Sequence, residues 1–271
     1  MKNDNQEALT HELPTHRFYY SVTSMISDMH QNKRGQDLYA GLYSCINSYY
    51  EESLALLRAT TKLFETTDEQ EKNFETRYSA ERTKIEKLLE NDEDEEVYRI
   101  FSSRLLEGKI NFYDNLDLER NLFSLGTIVQ FLSSFESTLH SLYKNIIEVD
   151  NHLSKIENVC KRDKGIIKYL KYFEKTLITN TTPIIIGTSN FQKLHQWIGF
   201  RNNIVHNNNE TTEQLKEVIN QRNLNIGVRR SKFIFDESNI RELAGLCGII
   251  LDSLVEEIFR PYFINSGALI E

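Results

Sequence analysis

The chain has 271 residues, 27% of them charged and 39% hydrophobic, with 3 prolines and 11 glycines. That is enough for one large domain or two small ones, with a core that needs no disulfide staples and a composition that favours helices. A net charge of −8 argues against a surface that binds nucleic acid indiscriminately.

Further classes fall away on inspection. No apolar run approaches the roughly 20 residues of a membrane span, so no membrane partner is expected. The polar N-terminus lacks the apolar stretch of a secretion signal. Cys45, Cys160 and Cys247 form no C-x-x-C pair and suggest neither a zinc knuckle nor a disulfide framework. They read as reduced thiols in or near the core of a cytoplasmic protein, and no metal or cofactor is expected. The charge is uneven. Residues 65–120 hold 17 Asp/Glu against 9 Lys/Arg, whereas residues 160–235 hold 13 Lys/Arg against 5 Asp/Glu. The basic segment points to an anionic ligand nearby, with solvated helix faces as the plainer alternative.

In chain order, residues 1–12 read as a polar tail. His11-Glu12-Leu13-Pro14-Thr15-His16 has the spacing H-E-x-x-x-H. A zinc-protease helix needs its histidines at i and i+4, and Pro14 would interrupt the helix, so this is no metal site. From about Phe18 the chain reads as successive helices. Tyr39, Leu42, Tyr43, Ile46, Tyr49 and Tyr50 recur at helical spacing and form a stripe for core or interface. Residues 68–109, rich in Glu and Lys with sparse apolar positions, read as exposed helices. The acidic run Asn91-Asp92-Glu93-Asp94-Glu95-Glu96 lacks the glycine and ligand pattern of a calcium loop and suits a turn that opens a helix.

A composition change near Asn115 suggests a boundary, with an N-terminal helical region over 1–115 and a second helical domain over 116–271. A long helical pattern follows over 116–149. Its stripe is Leu132, Phe135, Leu139, Leu142, Tyr143, Ile146 and Ile147. Glu136 falls on that stripe, where a carboxylate needs a partner or an edge position. An amphipathic helix is predicted over about 163–178, then a loop around Ile184-Ile185-Ile186. Ser189 or Asn190 is the expected cap of the next helix, whose apolar face is Phe191, Leu194, Trp197 and Ile198. Asn207-Asn208-Asn209 marks its end. A helix near 210–222, an irregular stretch from Asn223 to Asp236 and a last helix over about 237–259, ended by Pro261, complete an all-α helical bundle.

The stretch that looks like chemistry is Phe200-Arg201-Asn202-Asn203-Ile204-Val205-His206. An arginine and a histidine five residues apart are a weak signal by spacing alone. Their weight comes from the adjoining asparagine, the amphipathic helix leading in and the basic surroundings. His140, His152 and His195 show no comparable constellation.

Arg201-Asn202-x3-His206 within a helical bundle resembles the signature of HEPN domains, an arginine and a histidine separated by four to six positions. The resemblance covers about residues 116–271, and 1–115 match nothing familiar. Many HEPN proteins are metal-independent endoribonucleases of toxin–antitoxin, abortive-infection or antiviral defence systems, and their active site usually forms where two such domains pair. The resemblance therefore implies RNA as substrate, a homodimer with a composite site, and an antitoxin or other regulatory partner. It makes Arg201 and His206 catalytic, Asn202 supporting, and Glu136 a match for the acidic residue some families carry on an earlier helix. Arg229, Arg230 and Lys232 would add RNA contacts. Other HEPN domains are catalytically inert, so an RNA-, nucleotide- or protein-binding module is the alternative, and a helical scaffold working through the tyrosine stripe is a third.

The chemistry of the side chains agrees with that implication. RNA carries its own nucleophile, the 2′-hydroxyl. Histidine titrates near neutrality and can move a proton. A guanidinium is a permanent, forked charge suited to phosphate. On a helix with 100° per residue, Asn202 and His206 lie about 40° apart, but Arg201 and His206 about 140° apart. Either the helix distorts or a second copy completes the site.

Overall fold

The computed structural model describes residues 33–90, 95–178, 183–222, 224 and 226–265. The expectations for residues 1–32 and for 91–94 lie outside these. The fold is built on two long helices, α1 (Lys33–Glu90) and α2 (Glu95–Val149), of 58 and 55 residues, which pack against each other as a hairpin. Glu95 and Glu96 occupy the first turn of α2, where carboxylates complement the helix dipole. A single turn, α3 (Ile156–Val159), leads to α4 (Gly165–Leu177) and α5 (Ser189–His206). Then come α6 (Glu213–Arg222), strands β1 (Gly227–Arg229) and β2 (Lys232–Ile234), α7 (Glu237–Ser253), a π-helical segment (Leu254–Phe259) and α8 (Arg260–Asn265).

The all-α expectation is met, and α2 is the hub. It packs against α1, α4, α5 and α7. Its apolar face, Phe131, Leu132, Phe135, Leu139, Leu142 and Ile146, is buried against Leu42, Ile46, Tyr49, Leu54 and Leu57 of α1 and the apolar faces of the shorter helices. The tyrosine stripe therefore points inward: Tyr49 is buried, Tyr43 and Tyr50 pack against the core, and the side chain of Tyr39 lies outside those described. Cys160 and Cys247 are buried and Cys45 half-buried, all as free thiols. Burial pushes the Cys247 thiol up to about 12. The composition change near Asn115 falls inside α2, which runs through it unbroken, and residues 42–57 share one core with 128–263.

Farther out, apolar packing thins and the hairpin arms meet through aromatic and charged pairs. Phe74 stacks on Phe112 with centroids 3.9 Å apart. Lys109 pairs with Glu75 at 2.8 Å, and Arg120 bridges Asp68 and Thr67. Val97, Ile100, Phe101, Leu106 and Ile110 stay exposed on α2, as the sparse apolar spacing of that region predicts.

Three local readings need correction. The cap of α5 is Thr188, not Ser189 or Asn190: its Oγ1 accepts from Phe191 N at 3.2 Å while its backbone stays extended. The stretch before α7 is not wholly irregular. It holds an antiparallel hairpin that pairs Val228 with Phe233, turned by Arg230 and Ser231 at φ 48° and 61°. Three-residue strands and an Arg-Ser turn in place of Asn-Gly leave no sequence signal. Pro261 does not end the last helix. Arg260 N–H reaches back to Val255 O, a π-type bond, and the chain continues helically as α8. A proline so close to the start of a new helical register lacks only a donor that the first turn does not need.

The asparagines behave as expected and do more than end a helix. Asn208 and Asn209 take left-handed backbone at φ 51° and 59°. Asn209 is buried, and its side-chain amide donates to Phe233 O at 2.7 Å, tying α5 to the hairpin. Asn209→Ala should lower stability by about 2–3 kcal/mol, from a carbonyl left unpaired and a left-handed alanine. Asn209→Gly should recover only the backbone share. Urea denaturation midpoints of the three proteins check this, and equal midpoints would contradict it.

Candidate functional site

Helix α5 carries the sequence motif and is fixed from its inner face. Leu194, Trp197, Phe200 and Asn203 are buried. The Asn203 side-chain amide donates to Glu210 O at 2.9 Å, and the Asn203 backbone carbonyl accepts from Asn207 N at 2.9 Å. The outer residues are then set by helical phase. Arg201 is half-buried, whereas Asn202 and His206 are exposed. The helix is regular through His206, so the distortion that would bring Arg201 and His206 together does not occur.

Their separation shows in the cavities. One, of about 340 Å³, lies between α2, α4 and α5 and is lined by Glu136, Lys164, Gly165, Arg201 and Asn202. The other, of about 450 Å³, lies between α5 and α6 and is lined by His195, Gly199, Asn202, Asn203 and His206, with residues of α6 opposite. Arg201 belongs to the first and His206 to the second. Asn202 lines both, and its Oδ1 accepts from Arg201 Nη1 at 3.3 Å.

Glu136 joins Arg201 around the first cavity, although the two are far apart in sequence. The carboxylate sits at the start of α4, where the helix dipole favours an anion. Gly165 makes room for it. At φ +57° this residue favours glycine, and a Cβ there would lie 3.4 Å from Glu136 Oε1. Lys164 supplies a second cation at the rim.

Sequence reasoning missed several neighbours. The Tyr169 hydroxyl and His140 Nδ1 share a hydrogen bond of 2.8 Å, one turn along α2 from Glu136. Burial raises the Tyr169 hydroxyl, and the Glu136 charge adds to this. His195 lines the same cavity as His206, about 16 Å away along the helix axis. An i,i+4 scan of α2 would have paired Glu136 with His140, but nothing in the sequence announces the contact with Tyr169.

The three basic residues expected to add RNA contacts lie on the hairpin, and two of them already have partners. Arg229 pairs with Asp114 at 2.9 Å and also with Asp117, and Arg230 pairs with Asp114 at 2.8 Å. The acidic stretch of α2 and the basic hairpin are thus in direct contact. Lys232, in β2, is half-buried. Among the described residues no cluster of three or more His, Cys, Asp or Glu side chains could hold a metal ion, and no helix is long and apolar enough to cross a membrane. No family model, no curated protein and no solved structure matches this chain.

Replacing Asp114 and Asp117 together by Asn should change stability by less than about 1 kcal/mol, because the pairs are solvent-exposed. The variant should elute from heparin at higher salt, since two guanidiniums lose their anionic partners. Unchanged elution would mean that these contacts do not screen the hairpin.

Proposed function

We propose that the chain is a metal-independent endoribonuclease whose site includes Arg201, Asn202, His206 and Glu136. The observation that carries this reading is the shared cavity of Glu136, Lys164, Arg201 and Asn202. A carboxylate, two cations and an amide around one cavity are groups that a phosphate and its neighbouring 2′-hydroxyl call for, which supports the reading. The 2′-oxygen attacks phosphorus and its proton passes to a base. The bond from phosphorus to the 5′-oxygen breaks, and that oxygen takes up a proton. The products carry 2′,3′-cyclic phosphate and 5′-hydroxyl ends. Arg201 offsets charge on the phosphoryl oxygens, His206 transfers a proton, and Asn202 orients Arg201, to which it is already hydrogen-bonded.

Because Arg201 and His206 line different cavities of one chain, the working site combines Arg201 of one copy with His206 of a second in a two-fold homodimer. A role in toxin–antitoxin or antiviral defence, with an antitoxin or regulatory partner, follows from the HEPN resemblance alone. The same separation supports a second reading, a catalytically inert module that binds RNA or a nucleotide.

Incubation with structured and single-stranded RNA in EDTA tests the proposal. The wild type should cut and leave cyclic phosphate ends, and Arg201→Ala and His206→Ala should each lose at least about a hundredfold in rate. Intact RNA with the wild type would leave only the binding module, and unimpaired cutting by both variants would take the activity away from Arg201 and His206.

A further inference from the structure

We infer that the cavity between α5 and α6 is a nucleobase subsite that takes adenine from the nucleotide flanking the cleaved phosphate. This rests on the ribonuclease reading for its placement and on the cavity itself for its chemistry.

The two cavities differ in kind. The one around Arg201 is charged, with Glu136 and Lys164 beside the guanidinium. The one between α5 and α6 has no Asp, Glu, Lys or Arg in its described lining. Its polar groups are mostly side-chain amides, Gln196, Asn202, Asn203 and Gln214 among them, with His195 and His206 beside them, and its apolar surface includes Leu215 and Val218. At about 450 Å³ it falls in the size range of small-molecule sites. Gly199 widens it, since a Cβ there would already reach van der Waals distance, 3.6 Å, from Leu215 Cδ2. One group is short of a partner: Asn203 is 4% exposed, and its Oδ1 has no hydrogen bond. A buried acceptor without a donor is costly, so the Asn203 amide gains from a small shift that brings its oxygen to a ligand N–H in the cavity.

Asn and Gln amides are side chains that read adenine bidentately. A side-chain amide presents a donor and an acceptor side by side, the complement of the adenine amino group and its neighbouring ring nitrogen. Guanine is read best by Arg or Lys, and the cytosine amino group by a carboxylate. This lining offers neither. Unstacked bases of single-stranded RNA are recognised by such edge contacts against apolar or planar surfaces. The two cavities meet at Asn202 and Ile198, which line both. A nucleotide lying across that ridge has its phosphate on the Arg201 side and its base on the amide side.

Fluorescein-labelled ten-nucleotide 2′-O-methyl oligomers of A, C or U, which lack the attacking hydroxyl, test this by anisotropy with the full chain. Oligo-A should bind about tenfold tighter than oligo-C or oligo-U. Gln196→Ala combined with Gln214→Ala should bring all three within about twofold of one another, and Arg201→Ala should weaken all three alike. Gln214 is exposed, so Gln214→Ala alone serves as a second variant and should reduce the preference in part. Equal binding of the three oligomers by the wild type, or an oligo-A preference that survives the double substitution, overturns the subsite, as does failure to bind any of them. Cleavage of ordinary RNA without adenine preference leaves the ribonuclease reading standing and removes the subsite. Adenine preference without cleavage does the reverse.

Discussion

Phe200 packs edge-on against Phe233 and Phe235, with centroids 5.4 and 5.6 Å away, and tilted against Trp197 at 5.9 Å. Such pairs add about 0.5–1.5 kcal/mol each beyond the area they bury. This group fixes the rotation of α5 about its own axis. The Asn209 amide on the Phe233 carbonyl fixes its end. With those set, helical phase alone decides that Arg201 faces α2 and α4 while His206 faces α6. The candidate chemistry is therefore a consequence of how the inner face packs.

Helix α2 gives that packing its frame. It carries Glu136 and His140 toward the site on one side and Asp114 and Asp117 toward the hairpin on another. One helix thus connects the charged cavity to the contact between acidic and basic regions. Asp114 and Asp117 of the acidic block and Arg229 and Arg230 of the basic one are partners across α2 and the β-hairpin. At exposed positions such pairs add little stability, so their main physical effect is on the field that an incoming anion meets.

Much of this was legible because periodicity reports burial. The stripes of α2, α5 and α7 were readable as spacings of Leu, Phe and Ile, and the asparagine triplet marked the end of α5. The 140° between Arg201 and His206 followed from counting residues, and the regular helix kept it. What escaped depends on contacts distant in sequence. The position of Gly165 against Glu136, the hydrogen bond between Tyr169 and His140, and the ion pairs of Arg229 and Arg230 have no local pattern. The hairpin was missed because its strands are too short to alternate and its turn lacks glycine. Pro261 misled because the preceding π-helical segment resets the register, which composition does not encode. The motif itself could be found in the sequence, but the amide-rich cavity could not, since its lining comes from two helices joined by a turn.

On the proposed reading, one copy of α5 supplies only half of a working site. Mixing Arg201→Ala and His206→Ala chains tests it most directly, after unfolding and refolding them together in equal amounts. If each site takes Arg201 from one copy and His206 from the other, a mixed dimer keeps one intact site. The refolded mixture should then recover about one quarter of wild-type RNA cleavage. A mixture as inactive as its two parents would contradict the shared site.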